Sequence, residues 1–138
     1  MLDVERLKAQ LRTHEGEKLT MYQCTAGANT IGVGHNLDAK GISKRVSDAM
    51  LDDDIEDAVG DLDRSLPWWR NQPEPVQRSL VDMCFNLGIN RLLAFRNMLG
   101  ALQAQNYAQA AIEALDSRWA EQVGQRAQTI ASDIRSCA

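Results

Sequence analysis

The 138-residue sequence predicts an α+β fold that is predominantly helical and has two lobes. Apolar side chains follow a helical spacing over residues 3–14 and 43–66, whereas residues 17–35 show short alternation and many turn formers. From residue 75 onward the pattern is helical almost to the C-terminus. We therefore expect one domain, with a small β-hairpin lobe at about 14–42, a linking helix at about 43–66 and a helical lobe at about 67–138 that includes the N-terminal helix.

The first helix is predicted from Val4, Leu7 and Leu11, which recur at helical spacing between charged residues. Gly16 is a natural stop directly after it. The following segment ends in Thr-Ile-Gly-Val-Gly and predicts a β-hairpin or a short three-stranded sheet over 17–35. Glycine weakens a strand but lets another group approach the backbone closely.

The long helix should begin with Ser43 as its N-cap and end at Pro67. One side carries an apolar row and the other is strongly acidic. We interpret the acidic side as a solvated helix face, because it lacks the glycine and terminal glutamate of a calcium loop. The apolar row is Val46, Met50, Ile55, Val59, Leu62 and Leu66, and the acidic side is Asp52, Asp53, Asp54, Glu56, Asp57, Asp61 and Asp63.

The rest of the chain is predicted as a loop followed by helices. The loop is PWWRNQP, residues 67–73, and the helices lie at about 75–87, 92–102, 107–115 and 127–134. Trp68 and Trp69 could stack on sugars, but packing of the long helix against the helical lobe is the favoured use. Core packing is also expected for Trp119.

Composition and charge restrict the class of partner. Hydrophobic residues make up 44% and charged residues 25%, which is typical of a soluble globular protein. The net charge of -4 argues against nucleic-acid binding, which usually needs a basic face. No stretch approaches the length of a membrane span, so we expect no stable membrane insertion. The N-terminus has no apolar signal-peptide region, which predicts synthesis in the cytoplasm.

The cysteines indicate neither a disulfide framework nor a zinc site. Cys24, Cys84 and Cys137 are odd in number and widely spaced, and no Cys-x-x-Cys occurs. We expect no metal and no cofactor. Cys137 lies next to the C-terminus, and an intermolecular pair there is left open.

Four chemically active side chains fall in one short stretch: Glu15, Cys24, Thr30 and His35. Glu15 would lie at the negative end of the first helix dipole, and nearby apolar groups would favour its protonated form, as general acid catalysis requires. Thr30 could hold a water through its hydroxyl. On pattern alone, the favoured interpretations are that Glu15 is a surface carboxylate, Cys24 a small apolar filler and Thr30 an ordinary strand residue.

The stretch HEGEKLTMYQCTAGANTIGVGH, residues 14–35, resembles the active-site signature of phage-type lysozymes, the endolysins of glycoside hydrolase family 24. The spacing of eight residues between Glu15 and Cys24, and of five between Cys24 and Thr30, matches the Glu–Asp/Cys–Thr triad of that family. The segments DDDIEDAV, MCFNLGINRLLAFRNML and SRWAEQVGQRA resemble it further along. The resemblance implies a lysozyme-like two-lobed fold whose cleft binds peptidoglycan.

The resemblance also implies three catalytic roles. Glu15 would be the acid, Cys24 would take the position that more often holds Asp near the attacking water, and Thr30 would help to place that water. With Cys in place of Asp, electrostatic support for the transition state is expected to be weaker. The segment NLDAKG leads almost directly into the long helix, so the small lobe is shorter than in larger members.

Supporting roles are implied for five further residues. Arg126 would approach Glu15, while Phe85 and Asn86 would lie at the cleft floor, with Asn86 as the favoured substrate contact. His35 would pair with Asp54 as a structural tie; a catalytic role for His35 is disfavoured, since a satisfied structural histidine is commoner.

Three functional hypotheses follow. The favoured one is a monomeric muramidase that cleaves the β-1,4 bond from N-acetylmuramic acid to N-acetylglucosamine in bacterial cell lysis. Direct attack by water would invert the anomeric centre, and attack by Cys24 would retain it. The alternatives are a lytic transglycosylase with Glu15 as its acid and base, and an inactive wall-binding module. The resemblance implies that the protein reaches the wall through a separately made membrane pore.

Overall fold

The computed structural model describes all 138 residues, and these form two compact units, Met1–Ala49 and Met50–Ala138. Nine α-helices and one three-stranded antiparallel sheet make up the chain. The predicted class, a predominantly helical α+β fold of the lysozyme type, is confirmed. No helix combines the length and the apolar character that crossing a bilayer would need.

The first unit opens with helix α1, Val4–Glu15. The Asp3 side chain caps its start by accepting a hydrogen bond from the Arg6 N–H at 3.0 Å. Gly16 ends it with φ at +74°, and the Gly16 N–H donates to the Arg12 carbonyl. The predicted helix and its glycine stop are both confirmed.

A small sheet follows, with strands β1, Lys18–Gln23, β2, Asn29–Gly32, and β3, His35–Asn36. The strands pair antiparallel in the order β1-β2-β3, as the turn-rich sequence predicts. The pairing of β1 with β2 is irregular between Lys18 and Tyr22. The sheet thus has three strands joined by two short turns.

Helix α2, Leu37–Lys40, was not predicted, because four residues carry too little periodicity to show a helix. The Asn36 side chain caps it by accepting from the Ala39 N–H at 3.0 Å. The Asp38 carboxylate accepts from both the backbone and the side-chain N–H of Asn29, at 2.8 and 3.1 Å. These bonds tie α2 to β2.

Helix α3, Lys44–Ser65, begins in the first unit and continues into the second. The Ser43 hydroxyl accepts from the Val46 N–H at 3.2 Å, so the predicted N-cap is confirmed. The apolar row on this helix is buried only toward its end, where Leu62 and Leu66 enter the core, whereas Met50 and Ile55 are exposed.

The segment predicted as a loop after α3 contains a short 3₁₀ helix, Pro67–Asn71. The predicted helix over 92–102 is wrong in one respect: the structure has two helices there, separated at Phe95, whose ψ of +57° is not helical. Helix α8 was missed, although Ser117 caps it and Gly124 ends it. The remaining helices are α4, Glu74–Leu87, α5, Ile89–Leu93, α6, Arg96–Gln103, α7, Tyr107–Leu115, α8, Arg118–Val123, and α9, Gln125–Arg135.

The hydrophobic core belongs entirely to the second unit. Every buried apolar side chain lies between Ala58 and Ile134, and Leu62, Leu80, Met83 and Leu102 are among the largest that are fully buried. In the first unit only Thr30 is buried. A segment this small cannot bury much apolar surface, so its order depends on hydrogen bonds and turns.

Asp63 joins α3 to the 3₁₀ helix. Its carboxylate accepts hydrogen bonds from the buried Trp69 indole at 2.8 Å and from the Arg70 guanidinium at 2.7 and 2.9 Å. Trp69 therefore serves packing, the use favoured for it from the sequence. The hydrogen bond from Arg70, followed by that from Trp69, lowers the pKa of Asp63 to about 2.

Replacement of Asp63 by Asn should make the stability of the fold depend less on pH in the acidic range. Since the folded-state pKa of Asp63 is depressed to about 2 from 3.8, its contribution is present above pH 3.8 and is lost as the pH falls toward 2. Asp63→Asn should be less stable than the wild type at neutral pH, and this difference should shrink on acidification. Thermal unfolding followed by circular dichroism across that range measures it.

Asp52→Asn is the matched control, because Asp52 is exposed on the same helix. It should leave the difference in melting temperature near zero at every pH. If the difference in melting temperature between Asp63→Asn and the wild type stays constant as the pH falls, the electrostatic account is contradicted.

Candidate active site

Glu15 is the last residue of α1, and its side chain is exposed. Its carboxylate takes part in no hydrogen bond or ion pair within the first unit. It packs instead against Gly34: a Cβ atom at position 34 would lie 2.8 Å from Oε2 and 3.2 Å from Cδ of Glu15. The end of α1 and the turn after β2 therefore meet at this carboxylate.

The turn between β2 and β3 depends on two glycines. Ile31 pairs with His35, which leaves Gly32, Val33 and Gly34 between the paired residues. Gly32 has φ at +67° and Gly34 at +61°, a region that L side chains rarely adopt. The sequence motif Gly-Val-Gly thus turns the chain tightly enough to bring the backbone against Glu15.

Thr30 is the buried residue of the first unit, at 3% exposure in the middle of β2. It pairs with Tyr22 on one side and Asn36 on the other. Its hydroxyl donates to the Ala28 carbonyl at 2.8 Å. The hydroxyl oxygen keeps lone pairs that can accept a hydrogen bond from a water molecule.

Cys24 follows β1 at the start of the turn to β2 and is half-buried. Its backbone N–H donates to the Ala28 carbonyl at 3.0 Å, and its carbonyl accepts from the Gly27 N–H at 2.8 Å. Hydrogen bonds from the backbone of Ala28 and then of Ala26 hold the pKa of the thiol below its ordinary value, and the Thr30 side chain lies within reach of the same sulfur.

The first unit thus brings together two of the predicted groups directly, Cys24 and Thr30. Glu15 meets the same sheet through Gly34. His35, at the start of β3, directs Nε2 to the Gly41 carbonyl, so the protonated nitrogen of its neutral form is Nε2. This contact gives His35 a structural role within the unit, and its predicted tie to Asp54 stays a prediction.

In the second unit, Asn86 is exposed near the end of α4. Its Oδ1 accepts a hydrogen bond from the indole N–H of buried Trp119 at 2.8 Å. Trp119 in turn packs edge-on against Phe95, with the ring centroids 5.9 Å apart. This bond fixes the orientation of the Asn86 amide and leaves its NH₂ group free of a protein partner.

Phe85 and Arg126 border one open hollow of about 460 Å³ in the second unit. Phe85 is 44% exposed there, and the Arg126 guanidinium donates to the Asp82 carboxylate at 2.7 Å. The predicted approach of Arg126 to Glu15 stays a prediction. Asp54 lines a separate hollow of about 230 Å³, also beside Phe85.

Three contributors to these arrangements were not predicted as site residues. Asp38 clamps the start of β2, and Trp119 and Asp82 orient Asn86 and Arg126. Asn36 carries a capping signal for α2, but this signal does not indicate the contact between Asp38 and Asn29. The other two join residues 33 and 44 positions apart, which no local pattern shows.

Comparison with known proteins shows the family of the chain. The chain is 26% identical over 162 residues to the protein named probable T4-type lysozyme 1 of Dictyostelium discoideum, with 96% of this chain and 95% of that protein covered. It is 34% identical over 113 residues to the endolysin of Salmonella phage P22, with coverage of 74% and 73%. The profile of the phage lysozyme family matches residues 12–133. The chain therefore belongs to the phage lysozyme family.

Proposed function

We propose that the protein is a muramidase, which hydrolyses the β-1,4 bond from N-acetylmuramic acid to N-acetylglucosamine in bacterial peptidoglycan. The observation that carries this proposal is the placement of Glu15: an exposed carboxyl without a polar partner in its unit, held beside the sheet that bears Cys24 and Thr30. The family match and the names of the relatives support a lysozyme-type activity.

Glu15 is the general acid in this mechanism. Glycoside hydrolysis requires protonation of the leaving sugar oxygen as the bond breaks. Glu15 makes no ion pair in its unit, so no neighbouring side chain there competes for its carboxyl. Its exposure also leaves it open to the substrate oxygen.

Cys24 and Thr30 place the attacking water. The Thr30 hydroxyl oxygen can accept a hydrogen bond from this water while the hydroxyl donates its own proton to the Ala28 carbonyl. A lowered pKa gives Cys24 more thiolate near neutral pH, and the thiolate can accept the proton of the same water. Attack by water rather than by sulfur inverts the anomeric centre.

Asn86 is the proposed substrate contact of the second unit. Because Trp119 occupies its Oδ1, the amide NH₂ is the group that remains available. An oriented NH₂ group suits the hydroxyl and acetamido carbonyl oxygens of an amino sugar. The name of the phage P22 relative, an endolysin, supports a role in bacterial cell lysis.

Glu15→Gln should abolish hydrolysis without unfolding the protein. Gln keeps the size and exposure of the side chain but cannot supply the proton, and general acid catalysis contributes about 10²–10⁴-fold. The assay is turbidity loss of purified peptidoglycan, with mass spectrometry of the released fragments. Glu5→Gln, on the exposed face of the same helix, is the control and should clear like the wild type.

The products decide between the possible activities. Reducing muramic-acid ends from the wild type support the muramidase, whereas anhydro-muramic ends would assign a lytic transglycosylase. If folded wild-type protein with reduced cysteines binds the wall and clears none of it, the chain is a binding module. Full activity of Glu15→Gln would remove Glu15 from the mechanism.

Cys24→Asp should preserve or raise activity, because it restores a group that is charged at neutral pH. Cys24→Ser should lower activity, since a hydroxyl does not ionise in this range. The wild-type rate should rise with pH as the thiol ionises, and the Cys24→Asp rate should lack that rise. Initial rates of clearing from pH 5 to 9 test this; a folded but inactive Cys24→Asp protein would refute the water-placing role.

Two substitutions separate the structural and substrate roles of Asn86. Asn86→Ala leaves the buried Trp119 N–H without a partner and should lower stability by about 1–3 kcal/mol. Asn86→Asp keeps the acceptor oxygen but loses the NH₂ group, so it should stay stable and raise KM. Urea unfolding and steady-state kinetics measure the two effects. An unchanged KM in Asn86→Asp would contradict the substrate contact.

A further inference from the structure

We propose that Gly34 is a positioning residue for Glu15: its bare Cα leaves the space that the carboxylate needs at the end of α1. This inference rests on the proposed role of Glu15 as the catalytic acid. It concerns the position at which the Glu15 carboxylate is held and not the chemistry of the acid itself. Gly34 acts through Glu15 and touches no reacting atom.

The Glu15 side chain has few other restraints. It makes no hydrogen bond or ion pair in its unit, and it is exposed at the last position of a helix. A free glutamate of this kind samples several rotamers, because each sp³ torsion has three staggered wells. A catalytic acid must lie at one place, so packing against the turn between β2 and β3 is the available restraint.

Gly34 differs from the other glycines of the first unit that have positive φ. A Cβ atom at Gly16, Gly27, Gly32 or Gly41 would meet nothing within 4 Å. At Gly34 it would lie 2.8 Å from Oε2, 3.2 Å from Cδ and 3.4 Å from Cβ of Glu15. The backbone conformation alone therefore explains glycine at those positions, whereas position 34 also requires the absence of a side chain.

A methyl group at position 34 would move the carboxylate more than the fold. Oε2 is the far end of a flexible side chain, which can rotate away with little disturbance of α1 or of the sheet. The displaced acid would then miss the leaving oxygen. A misplacement of about 1 Å in a catalytic group can reduce the rate by about 100-fold.

Gly34→Ala and Gly32→Ala form a matched pair. Both place alanine at a positive φ, +61° and +67°, in the same hairpin, but only the first adds the contact with Glu15. We expect similar losses of melting temperature in the two variants. We expect kcat to fall about 100-fold in Gly34→Ala relative to Gly32→Ala, with KM unchanged, because a transition-state contact is lost.

A second readout does not depend on activity. The side-chain carboxyl ¹³C resonance of Glu15, assigned from its loss in Glu15→Gln, should move in Gly34→Ala and stay in place in Gly32→Ala. Equal kcat values in the two glycine variants would overturn the inference, even if the resonance moves. If Glu15→Gln is fully active, the proposed function fails, and the resonance alone decides whether Gly34 holds the carboxylate.

Instability of Gly34→Ala has its own control. If this variant unfolds while Gly32→Ala folds, Glu15→Ala is added to remove the carboxylate. Restored folding, to the level of Gly32→Ala, would assign the defect to the contact between the two side chains and support the inference. Folding that is not restored would assign it to the backbone and overturn the inference.

Discussion

The carboxylate of Glu15 lies against the backbone at Gly34, and this contact places the end of α1 beside the turn between β2 and β3 at the candidate active site. The first unit has no apolar core that could hold the two together, since Thr30 alone is buried. Local hydrogen bonds and turns supply the order instead, as in the Asp38 clamp on Asn29. The position of the Glu15 carboxylate therefore depends on the local backbone, where one added Cβ atom at Gly34 would collide with it.

The same backbone gives Cys24 its chemical character. A thiol is a weaker acid than a carboxyl, and in water it is mostly protonated at neutral pH. The turn from Cys24 to Ala28 lowers the pKa of the thiol because its backbone donates hydrogen bonds to the sulfur, and no nearby cation contributes to this effect. The local backbone therefore shifts Cys24 toward the charged form that an Asp would have.

The sequence predicts much of the fold because long elements repeat their signals. Helices α1, α3, α4 and α7 each show several turns of periodicity, and Gly16 and Ser43 mark boundaries by their backbone chemistry. The short helices α2 and α8 are not predicted, because each covers fewer than two turns and shows little periodicity. The residues of the motif could be named, but the contact with Gly34 could not, because a distance between a side chain and a distant turn leaves no periodic trace.

Stability and chemistry are distributed unequally over the chain. The second unit holds the whole apolar core together with the buried Trp69 and Trp119, and its polar bonds to Asp63 and Asn86 satisfy both indoles. Substitutions in the second unit lower the free energy of unfolding, because they remove packing or leave a buried hydrogen-bond donor without a partner. The first unit has little such packing to lose, so a change at Cys24 acts mainly on the charge of one group, whereas a change at Gly34 also strains a backbone with positive φ. Variants of the first unit therefore report on the mechanism when a control such as Gly32→Ala carries the same backbone strain.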